Sequence, residues 1–194
     1  MLTIVRHGRT EANRSGLLSG RGDVDLDPIG EAQAAATARA VGPADRIVCS
    51  PLRRTRATAE AWGVPIEEDE RWIELDYGDL DGSALGDVDA ELWARWRSDV
   101  AFAPPGGESL QALGRRVRAA CEDLADEARD RHVVVVTHVS PVKAAVAWAL
   151  GVSDDISWRM FVAPASITRI AVGDRGPSVH GFNDVGHLLG LGSP

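Results

Sequence analysis

The sequence predicts an α/β protein: a three-layer αβα sandwich with a mostly parallel central sheet and an antiparallel strand at its edge. Three observations carry this. Short apolar runs alternate with amphipathic stretches of helical length along most of the chain. One run holds four consecutive valines, Val133 to Val136, the mark of a strand covered on both faces. The length of 194 residues suits a single domain, residues 1–194, whose folding buries roughly 70% of the chain's surface.

The elements follow in order. Residues 2–5 form a short buried strand. Residues 28–41 form a helix, with Asp27 as its cap, Pro28 in its first turn and Gly42 just past its end. Residues 46–49 are a second strand and 51–62 a second helix. Apolar residues at Leu110, Leu113, Val117, Cys121 and Leu124 stripe a helix over 109–129. The valine strand covers 132–137, and a helix over 141–150 follows it. Residues 166–172 and 178–182 read as late strands, antiparallel at the sheet edge. Residues 76–108 break the rhythm: rich in Gly, Asp and Pro, with a helical piece over 87–98, they read as an inserted cap over a site.

Composition narrows the function. With 44% apolar and 26% charged residues the chain has the make-up of a soluble globular protein. A net charge of −8 argues against nucleic acid and anionic lipid as partners, so an enzyme for an anionic substrate needs a local cationic pocket. Lys143 is the only lysine; arginine supplies the other cations and offers a planar fork for phosphate. Cys49 and Cys121 lie in apolar surroundings and read as small buried hydrophobes rather than a disulfide framework. No signal peptide and no apolar run of the ~20 residues that span a bilayer is evident, and a cytoplasmic location is expected.

Chemistry concentrates at strand ends. In open α/β sheets ligands bind beyond the carboxyl ends of strands. The first strand runs into Arg6-His7-Gly8-Arg9-Thr10-Glu11-Ala12-Asn13, and the valine strand ends in Thr137-His138. One strand-end histidine is most simply structural; two form a constellation. After the second strand, Arg53, Arg54 and Arg56 crowd the first turn of a helix, where they oppose the macrodipole, which makes sense if one or more bind an anion.

These motifs resemble those of the histidine phosphatase superfamily, which includes the cofactor-dependent phosphoglycerate mutases. Arg6, His7, Gly8, Thr10 and Asn13 match its Arg-His-Gly-x-Thr-x-x-Asn opening. Ser50, Leu52, Arg54, Thr58 and Ala59 match its Ser-x-Leu-x-Arg-x-x-x-Thr-Ala motif, which selects Arg54 among the three arginines. Glu74 to Gly78 match Glu-x-x-x-Gly, Pro105 to Ser109 match Pro-x-Gly-Glu-Ser, His138 matches the second histidine, and the segment Asn183 to Leu188 is similar to the family's ending. The resemblance implies a phosphoglycerate mutase-like fold and a metal-independent phosphomonoesterase, without cofactor, acting on a small-molecule phosphate ester. It implies that His7 is a nucleophile forming a phosphohistidine, that Arg6, Arg54 and His138 surround the phosphoryl oxygens, and that Glu74 protonates the leaving oxygen and later takes a proton from water. Glu74 must then carry a proton when attack begins, which favours acidic to neutral pH. Asn13, Arg9, Thr10, Arg21, Ser109 and the Val139 backbone are expected to contact substrate or phosphate.

The chain departs from the family pattern twice. His138-Val139-Ser140-Pro141 replaces the common His-Gly-Gly or His-Gly-His, with Ser140 expected to cap the next helix and aim N–H groups at the phosphate; the variant resembles acid phosphatase and α-ribazole phosphatase relatives. Leu80-Asp81-Gly82 stands where Trp-Glu-Gly is common and should affect loop packing only. The family's mutases carry a basic insertion, whereas 76–108 holds only Arg95 and Arg97 and no lysine, so hydrolysis is favoured over mutase chemistry. An inactive phosphate- or protein-binding scaffold is the other alternative, and retention of all five catalytic-type residues opposes it. A homodimer is compatible with the sequence.

Other motifs lead elsewhere. Asp23-Val24-Asp25-Leu26-Asp27 imitates the start of a calcium loop but has Pro28 where glycine is required and Ala34 where the bidentate glutamate belongs. Trp93 and Trp96 share a helix face and are expected in the core, with a lid wall as the sharper alternative.

Overall fold

The computed structural model describes residues 1–191, so the last three positions of the predicted domain lie outside the described residues. Six strands form one sheet: β1 (Leu2–Arg6), β2 (Arg46–Cys49), β3 (Glu67–Glu68), β4 (Val133–Thr137), β5 (Ile167–Gly173) and β6 (Gly176–Asp184). Their order across the sheet is β3-β2-β4-β1-β5-β6. Pairings β1–β4, β2–β4 and β2–β3 are parallel; β1–β5 and β5–β6 are antiparallel. The antiparallel part is thus two strands deep, and β5 pairs on both sides rather than lying at the edge.

The valine run does what its pattern requires. Val133 and Val135 face one side with Leu2, Ile4 and Val48, while Val134 and Val136 face the other with Val5, Ile47 and Cys49. Helices α5 (Leu110–Ala125) and α7 (Val139–Leu150) cover the first side, where Leu113, Val117, Cys121 and Val142 pack on the sheet. Helices α2 (Pro28–Val41) and α3 (Arg53–Ala59) cover the second. The three-layer sandwich is therefore formed, and both cysteines are buried and free.

Helix ends follow local chemistry. Asp27 accepts from the Gly30 N–H at the start of α2, with Pro28 in the first turn and Gly42 at the C-cap. The helix predicted over 51–62 is shorter: α3 starts at Arg53 and ends in a 3-10 turn, Glu60–Trp62. Ser109 caps α5 through the Ala112 N–H. The helix predicted from 109 to 129 is divided, with α5 followed by a separate turn of helix, α6 (Glu127–Asp130).

Residues 76–108 contain two 3-10 turns and a helix, α4 (Ala90–Ser98), capped by Asp89. The segment is anchored to the domain by Asp81, which accepts from the Gly20 and Gly22 N–H groups at 2.7 and 3.0 Å. Gly78 has φ +54°, and a β-carbon there would lie 2.1 Å from the Pro105 carbonyl oxygen, so only glycine closes this loop. No helix among the described residues is long and apolar enough to cross a membrane.

Candidate active site

Strand register brings the two histidines together. Arg6 pairs with Thr137 at the carboxyl ends of β1 and β4, so the next residues, His7 and His138, leave the sheet side by side. The His7 N–H donates to the Thr137 carbonyl, and the two rings lie 5.2 Å apart between centroids, edge to face. The turn after His7 is tight because Gly8 and Gly30 touch: a β-carbon on Gly8 would lie 2.4 Å from the Gly30 carbonyl oxygen.

His7 is 4% exposed, and its Nδ1 lies 2.7 Å from the Gly8 carbonyl. A carbonyl only accepts, so Nδ1 carries the proton and Nε2 keeps its lone pair. Burial, reinforced by Arg54 and Arg6, holds this imidazole well below the usual histidine range, so it is neutral. The Arg6 guanidinium is buried too, which lowers it to about 10, still charged at neutral pH. Its Nη1 donates to the Val162 carbonyl at 2.7 Å, and its Nε is buried with no acceptor among the described residues.

Arg54 and His138 stand behind this pair. Arg54 is fully buried and donates from Nη1 to the Gly22 carbonyl, from Nη2 to the Gly20 carbonyl and from Nε to His138 Nδ1. His138 Nδ1 is therefore an acceptor, and its Nε2–H donates to Ser50 Oγ at 2.8 Å. Burial, then Arg54, keeps His138 neutral, well below its usual range. Arg6, His7 and Glu74 line the cavity, whereas Arg54 and His138 form its second row.

Glu74 is only 3% exposed. Its carboxylate accepts from the Leu75 N–H at 2.7 Å, and from the N–H groups of Val139 and Ser140 at 3.1 Å each. The expectation that Ser140 caps the helix is thus corrected: α7 begins at Val139, His138 occupies the cap position, and no side chain of its own caps it. The Glu74 side-chain oxygens accept from the open N–H groups instead, in the place of a cap. Those N–H groups, Val139 included, hold the general-acid candidate rather than facing an anion directly.

The other predicted residues divide. Arg9 and Asn13 line the cavity. Arg9 is fixed by Asp27 at 2.8 Å, and Asn13 forms a capping box with Thr10 around α1 (Glu11–Arg14). Thr10 is fully buried and acts through that cap. Arg21 pairs with Asp76 and Glu108, at 3.3 and 3.5 Å, and does not line the cavity. Ser109 likewise does not line it and caps α5. The carboxylates of the calcium-like stretch serve as caps and partners: Asp23 accepts from the Arg53 N–H, capping α3, and Asp25 pairs with the Arg53 side chain. Among the described residues no group of three or more His, Cys, Asp or Glu is placed to hold a metal ion.

The cavity holds about 630 Å³. Trp93 and Trp96 stack at 5.4 Å, and Trp158 meets both edge to face. Trp96 is 1% exposed and belongs to the core, yet both α4 tryptophans also line the cavity, so the core and lid-wall readings both hold. The sequence reading missed Lys143, Trp158, Met160 and Phe161, which also line it. Helical spacing could have found Lys143, one turn beyond Val139; no local signal marks the others.

This fold and site define a class: α/β proteins with a histidine pair at strand ends, buried arginines beneath it and a cavity above. The chain belongs to the histidine phosphatase superfamily (branch 1), whose model matches residues 2–185. It is 32% identical over 198 residues to the bifunctional protein Rv2228c of Mycobacterium tuberculosis, a match that takes in 96% of this chain but 54% of that protein; the chain spans about half the length of that relative. Phosphoserine phosphatase 1 of Hydrogenobacter thermophilus is 32% identical over 199 residues, covering 96% and 93% of the two chains. The solved mycobacterial glucosyl-3-phosphoglycerate phosphatase Rv2419c superposes with a TM-score of 0.83 at 28% identity, covering 94% and 97%.

Proposed function

We propose that this chain is a phosphomonoesterase that hydrolyses a small-molecule phosphate ester through a phosphohistidine on His7. The observation that carries the reading is the bonding of His7: Nδ1–H is locked onto the Gly8 carbonyl, and the neutral ring has Nε2 free as a nucleophile beside Arg6. In the first step Nε2 attacks phosphorus, the P–O bond to the alcohol breaks, and Glu74 gives its proton to the departing oxygen. In the second, water attacks the phosphohistidine, Glu74 takes its proton, and the P–N bond breaks to release phosphate and restore His7. Arg6 offsets charge on the phosphoryl oxygens directly, and Arg54 adds positive potential from behind. The relatives named as phosphatases of phosphoserine and of glucosyl-3-phosphoglycerate support a small phosphate monoester as the substrate class.

Mutase chemistry has less support. The two arginines of the 76–108 segment lie over aromatic rings, Arg95 over Phe102 and Arg97 over Trp93, and neither lines the cavity. The test is direct. Brief reaction with a labelled phosphate ester, quenched in alkali, should place label on His7, and His7→Ala should lose label and more than about 10³-fold in rate. Hydrolysis retained by His7→Ala, or a rate abolished by EDTA, would refute the mechanism. Interconversion of 2- and 3-phosphoglycerate faster than phosphate release would mark a mutase.

A further inference from the structure

One wall of the cavity is built by Leu85, by α4 and by the stretch from Ser157 to Val162, whose last carbonyl accepts from Arg6. Among the described residues, Ser157 is the only polar side chain that these segments contribute to the lining. The indoles do not make up the deficit. The Nε1 atoms of Trp96 and Trp158 are buried without acceptors, out of reach of an occupant. Trp93 Nε1 is aimed at the Leu85 carbonyl at 3.5 Å. A sugar ring stacking on Trp93 would compete with neighbours already on the ring, since Trp96 stacks on the indole and the Arg97 guanidinium lies over it, 5.1 Å from the centroid.

A polyhydroxy alcohol bound here would exchange water for a wall whose side chains offer it Ser157 alone, at a cost for each unmade hydrogen bond. An apolar group gains instead. Phe161 is 72% exposed and Leu85 49%, and both border the cavity, so an occupant that covers them removes apolar surface from water. The charged side chains that line the cavity, Arg6, Arg9, Arg14, Glu74 and Lys143, all come from outside these segments.

We propose that the leaving alcohol is apolar, aromatic or a long alkyl chain, and that Leu85, Trp158, Met160 and Phe161 select it. The proposal rests on the phosphatase reading and sets this chain apart from relatives named for serine and glucosylglycerate esters.

The experiment compares kcat/KM across primary-alkoxide esters, so that leaving-group chemistry is matched: ethyl, hexyl and 2-phenylethyl phosphate against glycerol 3-phosphate and glucose 6-phosphate. The 2-phenylethyl and hexyl esters should exceed ethyl phosphate by about tenfold or more, and exceed the polyhydroxy esters by at least as much. Phe161→Ser, at an exposed position, should cut the 2-phenylethyl to ethyl ratio about threefold. Equal or better turnover of glucose 6-phosphate or glycerol 3-phosphate, or a ratio unmoved in both Phe161→Ser and Leu85→Ser, overturns the proposal and leaves the phosphatase reading standing. Binding of 2-phenylethylphosphonate and 2-hydroxyethylphosphonate, followed by tryptophan fluorescence, separates the two readings. Tighter binding of the apolar phosphonate with no ester hydrolysed would keep the wall proposal and sink the phosphatase; equal binding would sink the wall proposal by itself.

Discussion

Polar contacts fix the floor of the cavity, and packing fixes its wall. On the floor, His7, His138, Arg54 and Glu74 are all buried, and each is held by named backbone or side-chain partners: the Gly8 carbonyl, Ser50, the Gly20 and Gly22 carbonyls, and the N–H groups opening α7. On the wall, three tryptophans meet ring to ring. A hydrogen-bonded floor holds atoms at the tenths of an ångström that phosphoryl transfer demands; an apolar wall sets only shape and affinity. Mutations on the two sides should therefore fail in different ways.

The largest expected effect is on the floor. Glu74→Gln keeps the side chain's size, sets an amide NH2 against one of the backbone N–H groups that Glu74 accepts from, and removes the transferable proton; it should lower kcat for an alkyl phosphate by about 10²–10⁴-fold. The loss should be smaller for 4-nitrophenyl phosphate, whose leaving group needs no proton. Equal losses on both esters would show that Glu74 holds structure rather than moving protons.

On the wall the largest effect is on stability. Trp96→Ala empties a fully packed site and should cost about 3–5 kcal/mol in urea unfolding. A loss under about 1 kcal/mol would mean that the aromatic cluster does not support α4, and the contrast with the floor would fail.

A third effect comes from pH. His7 and His138 are kept neutral in the folded chain, while in the unfolded chain each titrates near pH 6.5. Below that value the unfolded state binds more protons, so the stabilisation these residues contribute is complete above about pH 6.5 and is lost as pH falls. Denaturation midpoints should drop between pH 7.5 and 5.5, and His138→Gln should reduce that drop. The smallest effect belongs to Phe161→Ser, which should change stability by no more than about 0.5 kcal/mol while changing substrate preference. A larger change in stability would move Phe161 from the cavity rim into the packing.

Sequence alone determined the parts governed by local rules. The 2.0 and 3.6 periodicities gave the strands and helices, with Pro28, Asp27 and Gly42 bounding α2 at the residues the structure shows. The placement of His7 and His138 at strand ends was also readable, because chemistry in such sheets gathers where strands stop. Boundaries set by long-range partners were not readable: α7 starts at Val139 rather than Pro141 because Glu74, 65 residues away in sequence, accepts from the Val139 N–H. Ser109 sits in a matching motif and Arg21 was expected to contact substrate, yet they face a helix end and carboxylates, because a pattern along the chain does not fix the direction of a side chain. Only the tertiary structure could assemble the wall, since Leu85, Trp93, Trp158 and Phe161 come from segments with no shared pattern. Apolar contact is non-directional and leaves no spacing in the sequence to mark it.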